Sequence, residues 1–142
     1  VFLCWALFVF GFLGSGCAKV RNMEGESWTI NGTDGHVFIT EGRYWFGPKK
    51  KDPKETLVTE YSKNACYFKF KLINRTGRYL QIKTMGELQD KKGKVLETVM
   101  TNYYKRLAPD EEQLIEGFFG VTRKDVAEAA KFVVAVDDAH ID

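Results

Sequence analysis

Ala65-Cys-Tyr-Phe-Lys-Phe-Lys-Leu-Ile73, then Asn74-Arg-Thr-Gly77, then Tyr79 to Gln89, then Asp90-Lys-Lys-Gly93, then Lys94 to Leu107: this continuous stretch decides the fold. In the first run Cys66, Phe68, Phe70 and Leu72 share one parity, and Tyr67, Lys69 and Lys71 share the other. In the second, Leu80, Ile82, Thr84 and Leu88 alternate with Gln81, Lys83, Glu87 and Gln89. Successive strand side chains point to opposite faces, so each run predicts an antiparallel strand with one face in a core and one in water. The polar tetrapeptides between them have turn chemistry: Asn or Asp opens the turn and Gly accepts positive φ at its end. Together they predict a β-meander.

The third run, 94–107, is ambiguous. Val95-Leu96, Val99-Met100, Tyr103-Tyr104 and Leu107 recur about every four residues, a spacing that also suits one helical face. Valine, threonine and tyrosine dominate the run and Gly93 closes a hairpin-type turn before it, so strand is preferred. Ala108-Pro-Asp-Glu-Glu112 breaks the run. Leu114 to Val121 contains Gly117 and Gly120, too much glycine for a stable helix, and is expected to be a strand. Thr122 followed by Asp125 has the form of a helix cap, and the alanines after it predict a short helix to about Lys131. Phe132 to Val136 reads as a short buried strand, with a polar tail over 137–142.

Upstream, Ser27-Trp-Thr-Ile30 is rich in strand formers and leads into Asn-Gly-Thr-Asp-Gly, a strong turn signal. His36 to Thr40 predicts a second strand and Arg43 to Phe46 a third, which makes a hairpin from Trp28 to Phe46. Gly47 to Glu60 holds two prolines and four lysines and is expected to be an exposed loop.

The N-terminal sixteen residues are apolar throughout and lead through small residues to Cys17. The run is short against the roughly 20 apolar residues of a membrane-spanning helix. It has the character of a secretory signal. Leu13-Gly-Ser-Gly-Cys17 resembles the bacterial lipobox, whose cysteine is acylated, although Leu13 lies one place further from the cysteine than usual. No Met or basic residue precedes the apolar run, so the start is expected to have been trimmed. The predicted organisation is a signal over 1–16, a lipidated (palmitate-bearing) Cys17 and tether over 17–26, a sandwich domain over 27–136 and a tail over 137–142. Cys66 is then the single free thiol of the mature chain. That rules out a disulfide framework there, and its parity predicts an inert buried thiol.

Several short strands, regular turns and one late helix predict a mainly β chain, a two-sheet antiparallel sandwich. Phe68-Lys-Phe-Lys-Leu-Ile-Asn-Arg-Thr-Gly77, Leu88-Gln-Asp-Lys-Lys-Gly-Lys-Val-Leu96 and Leu107-Ala-Pro-Asp-Glu-Glu112 resemble, in order and spacing, the FxLYD-type immunoglobulin-like domains of bacterial envelope lipoproteins. Gly86 and Gln89 stand where the Phe and Tyr that name that family would be, and Asp110 replaces the usual turn glycine. The resemblance implies an immunoglobulin-like sandwich outside the cytoplasm, acting by binding or as structure, with no family-wide catalytic residue.

No constellation in the chain carries recognisable catalytic, metal or cofactor chemistry. His36 and His140 lack cysteine or carboxylate partners at metal-ligand spacing within a regular element. The acidic residues around His140 suit a loosely held hard cation, but the segment reads as a solvated terminus. Asn31-Gly-Thr33 and Asn74-Arg-Thr76 match the N-glycosylation pattern, which is common by chance. A formal net charge of +2 with scattered basic residues excludes an electrostatic nucleic-acid footprint. The expectation is therefore a monomer of the cell envelope, held at a membrane through Cys17 and meeting an envelope protein or glycan, with no cofactor. Two other readings stand beside it: a periplasmic assembly partner acting by strand addition at an open sheet edge, and a small enzyme using carboxylates distant in sequence. The candidate contact surface is Tyr44, Trp45 and Phe46 with Lys49, Lys50 and Lys51. Tyr44 and Phe46 share one parity and Trp45 has the other, so one set faces outward beside the lysines.

Overall fold

The computed structural model describes residues 20–25, 28–29 and 36–142. The expected signal, Cys17 and the Asn31–Gly35 turn lie outside the described residues. Among these residues nine strands form, numbered β1 (Arg21–Asn22), β2 (Glu24–Gly25), β3 (Trp28–Thr29), β4 (His36–Pro48), β5 (Asn64–Asn74), β6 (Leu80–Asp90), β7 (Val95–Leu107), β8 (Glu112–Val121) and β9 (Ala129–Ile141). A short helix, α1 (Arg123–Glu128), joins β8 to β9. They make two sheets, ordered β1-β4-β5-β8, with β3 also beside β4, and β2-β9-β6-β7.

The chain is a β-sandwich, and the parity of the sequence places its core. Cys66, Phe68, Phe70 and Leu72 of β5 face Leu80, Ile82 and Leu88 of β6 across the interior, all buried. Thr84 shares that inward parity. Its hydroxyl lies 2.7 Å from the hydroxyl of Thr101 on β7, so the buried polar group is satisfied. Gly86 is also inward. A Cβ there would come within 2.5 Å of the Phe132 ring, so the absent side chain is replaced by a phenylalanine from β9.

The connections are not those of a meander. β5 does not pair with β6. The Asn74–Gly77 segment instead carries the chain from one sheet to the other, and β5 pairs with β4 and β8. The two runs alternate in the same way whether they neighbour each other in one sheet or face each other across a core, so parity could not distinguish the two. β6 and β7 form the expected hairpin, closed by Asp90, whose carboxylate accepts from the Lys92 and Lys94 backbones at 2.8 and 2.9 Å. The chain crosses back between β7 and β8, and again at α1. With β4, β5 and β8 taken as A, B and E, and β7, β6 and β9 as C′, C and F, the neighbours are those of an immunoglobulin sandwich.

The segment 94–107 is strand, as the β-formers predict. Three register shifts against β6 break the simple alternation of its inward residues, and each apolar pair divides between the faces: Leu96 and Val99 pack on the core while Val95, Met100 and Tyr103 are exposed. The expected strands at His36–Thr40 and Arg43–Phe46 are one strand, β4, bent by a bulge between Thr40 and Arg43 with Glu41 at φ 54. Residues 137–142, expected as a polar tail, continue β9 along Leu80–Lys83 as far as Ile141. The polar outer residues of 137–141 are those of a strand with one solvated face, and this composition resembles that of a free end. The expected helix to Lys131 stops at Glu128, although its cap forms as read: the Thr122 hydroxyl accepts from Asp125 N and the Asp125 carboxylate from Thr122 N, both at 3.0 Å.

Part of the expected tether is also in the fold. Arg21–Asn22 pairs with Tyr44 and Arg43 of one sheet, and Glu24–Gly25 runs parallel to Val133–Val134 of the other. Met23, between them, takes the space that a side chain at Gly42 would need.

Candidate functional surface

On the outer face of the first sheet the register sets Trp45 of β4 opposite Tyr67 of β5, and Tyr67 opposite Phe118 of β8. Their ring centroids are 5.9 and 5.6 Å apart, forming a continuous aromatic row across three strands. The Tyr67 hydroxyl donates to the Pro48 carbonyl at 2.6 Å, which fixes the middle ring. Phe118, at the open end of the row, is 45% exposed. A cleft of about 310 Å³ beside the row is bordered by Trp45, Tyr67 and Phe118 together with Lys50 and Glu116. Flat apolar rings next to one cation and one carboxylate suit adhesion to a ligand of mixed character.

The surface expected from sequence is therefore divided. Tyr44 is buried and packs edge-on to Phe132 at 5.7 Å, and Phe46 is half-buried 6.0 Å from Tyr44. Arg21 lies over both inner rings at 5.8 and 5.3 Å and donates to the Ala129 carbonyl, closing that end of the core. Of the three aromatics only Trp45 faces outward. Lys49 is held by Glu55 at 3.2 Å, and Lys51 borders a different cleft, with Pro53, Leu57 and Val58. Lys50 borders the cleft beside the whole row, and Lys49 reaches only its Phe118 end. Tyr67 and Phe118 complete the row. Tyr67 was visible as the outward parity of its run, but nothing local in the sequence pairs it with residues 22 and 51 positions away.

Two other clusters bring ionisable groups together. Glu97 on β7 lies near Asp125 of the helix cap, and burial, then the Asp125 carboxyl, push the Glu97 carboxyl above its usual range. Asp125 is committed to the cap, so the pair belongs to the join between α1 and β7. At the far end, Lys83 of β6 sits opposite bulges in both neighbouring strands. Its amine meets Asp137 at 2.7 Å, while Asp138 accepts from the Tyr104 hydroxyl at 2.6 Å and lies 3.1 Å from His140. The bond from Tyr104 holds the Asp138 carboxyl below its usual range. The acidic residues around His140 are thus engaged by Lys83 of β6 and by Tyr104 and Arg106 of β7. Among the described residues no cluster of His, Cys, Asp and Glu has the form of a metal site.

Cys66 is buried and free, and burial pushes its thiol up to about 12, as its parity with Phe68 and Phe70 predicts for an inert cysteine. Asn74 of the second glycosylation-type tripeptide is fully buried, and its amide is spent on hydrogen bonds within the corner.

The chain is thus a two-sheet β-sandwich with an aromatic row on the outer face of one sheet. No family model matches the chain, and no curated protein matches it. Among solved structures it is similar to a DUF1425 family member from Shewanella sp. pv-4, with a TM-score of 0.44 and 8% identity, over 89% of this chain and 100% of that one.

Proposed function

We propose that this chain is a lipid-anchored protein of the bacterial envelope, facing the periplasm or the exterior, whose sandwich is a non-catalytic binding module related to the FxLYD-type domains. The contact surface is the outer face of the β4-β5-β8 sheet. The observation that carries the binding reading is the row Trp45–Tyr67–Phe118, which keeps large aromatic surface at the solvent side of three adjacent strands. Partly exposed aromatic anchors dominate many interfaces. The anchor rests on Cys17 after Leu13-Gly-Ser-Gly, and the partner is an envelope protein or glycan.

Two measurements test the reading. Full-length protein expressed with labelled palmitate should carry label, and Cys17→Ser should lose it and move to the soluble fraction, because acyl chains contribute about 0.8 kcal/mol per buried methylene. Equal absence of label in both forms excludes the anchor. Capture of a partner from envelope extract should fall with Trp45→Ala and with Phe118→Ala while the circular dichroism spectrum stays unchanged. Undiminished capture by both variants excludes this face.

A further inference from the structure

We propose that β8 is a docking edge, and that an extended segment of a partner polypeptide adds to it as the next antiparallel strand of the sheet. This segment would present a basic side chain opposite Glu116 and apolar ones on either side. The proposal rests on the reading of this sheet's outer face as the contact surface and names what binds there.

The first observation is the edge itself. β8 ends its sheet and is paired only with β5, from Asn64 to Ile73, without a register shift. Along its other side the main-chain donors and acceptors have no strand partner among the described residues, which makes a template for strand addition. Natural edges are usually blunted by lysine, proline, bulges or strong twist. β8 reads Glu-Gln-Leu-Ile-Glu-Gly-Phe-Phe-Gly-Val and has none of the first three. The open edge of the other sheet is managed differently. β7 has register shifts against β6, a left-handed residue at Tyr104 with φ 38, and Lys105 and Arg106 beside it. One sandwich thus blunts one of its open edges and leaves the other straight over Glu112–Phe118, with Tyr61 packed against Gly120 beyond it.

The second observation is what the straight edge displays. Ile115, Phe119 and Val121 turn inward, while Leu114, Glu116 and Phe118 face out. Leu114 is 61% exposed. Glu112 is engaged by Lys71 and Arg75, whereas Glu116 lies opposite Lys69 of β5 in the register without forming an ion pair with it among the described residues. An added strand would have side chains directly opposite these three, alternating apolar, charged, apolar. The residue opposite Phe118 would extend the row that begins at Trp45.

The alternation of charged and apolar positions argues against a second copy of the chain as occupant. Antiparallel self-pairing places Leu114 opposite Phe118 of the other copy only when it is centred on Glu116, and this opposes the two glutamates directly. Centring on Ile115 or Gly117 instead sets Glu116 against Leu114 or Phe118. Like charges opposite each other are destabilising, and a lysine or arginine from a different strand is favourable.

The test uses a soluble threonine-rich peptide with Leu, Lys and Phe at alternate positions, read by fluorescence anisotropy and by amide shifts of β8. The Lys peptide should bind, with the largest shifts over Glu112–Phe118. Replacing its Lys with Glu should weaken binding roughly fivefold, and Glu116→Lys in the protein should reverse that order. Methylating alternate peptide backbone nitrogens should abolish binding, as should Leu114→Lys, an exposed position where lysine is compatible with folding. Absence of binding by either peptide overturns the proposal. Binding that survives backbone methylation but is lost in Trp45→Ala also overturns it, leaving the aromatic-face reading intact with side-chain stacking as the mode. A dimer in sedimentation that Leu114→Lys dissociates would transfer the edge to a second copy. Oligosaccharide shifts on Trp45 and Tyr67 without peptide shifts on β8 would transfer the face to a glycan.

Discussion

Asn74 reaches across the sandwich to Ala108: its side-chain amide donates to the Ala108 carbonyl at 3.0 Å, and to those of Leu107 and Arg78 at 3.2 and 2.7 Å. The same side chain accepts from the Thr76 hydroxyl at 2.6 Å and from its backbone at 3.0 Å. The main chain of Asn74 is bonded to Asp110 and Glu111. The β5-to-β6 and β7-to-β8 crossings, 33 residues apart in sequence at Leu107, are therefore held by one residue. Buried polar groups left without partners cost about 1–3 kcal/mol each. Asn74→Ala should lower the free energy of unfolding by about 3 kcal/mol. Denaturant titration checks this, and a loss under roughly 1 kcal/mol would show that water replaces the amide.

Asp110 stands in the second of these corners with φ 59, a conformation that glycine adopts without strain. Its carboxylate meets Arg75 at 3.4 Å on an exposed surface, an ion pair of little worth. Asp110→Gly should therefore raise stability, by about 1 kcal/mol at most once the glycine's extra freedom in the unfolded chain is counted. A lowered melting temperature would mean that the Arg75 contact outweighs the backbone strain.

The inward and outward faces of β5 give a paired test. Phe70 is fully buried, and Phe70→Ala should cost about 3–5 kcal/mol, as large core aromatics do. Lys69 is exposed, and Lys69→Ala should change stability by less than about 0.5 kcal/mol. Comparable losses at the two positions would contradict the observed register.

Cys66 makes a prediction for alkaline solution. Its thiol moves from an ordinary value of 9.0 to about 12 because burial disfavours the thiolate. The unfolded chain therefore loses this proton first as pH rises. The stability contributed is fully present below pH 9 and declines as pH climbs from there towards 12, at up to about 1.4 kcal/mol per pH unit. The difference in stability between wild type and Cys66→Ala should therefore shift across that window and stay constant below it. A difference that does not vary with pH would mean that the thiol ionises in place.

The alternation of Cys66, Phe68, Phe70 and Leu72 with Tyr67, Lys69 and Lys71 already separated core from surface, because strand period and burial are both local properties. Asp90 and Gly93 likewise carry their hairpin in their own chemistry. What the sequence did not carry was the choice of neighbour. Asn74–Gly77 is turn-like whether it closes a hairpin or crosses between sheets, and only long-range partners such as Ala108 decide. The bulges at Glu41 and Tyr104 were hidden for a similar reason, since each depends on the opposing strand. The aromatic row shows the limit most directly. Trp45 could be identified, but Tyr67 and Phe118 join it through register with β5 and β8.

The step that Arg21–Gly25 makes from one sheet to the other has a consequence for reach. If Cys17 is acylated, the chain available before Arg21 pairs with Tyr44 is four residue steps, at most about 14 Å when fully extended. A leash of that length leaves no freedom to sweep through the surrounding space. The sandwich would stand against the lipid headgroups with one end fixed, and any pull on the module would load β4 and β9 together, since β1 grips the first and β2 the second.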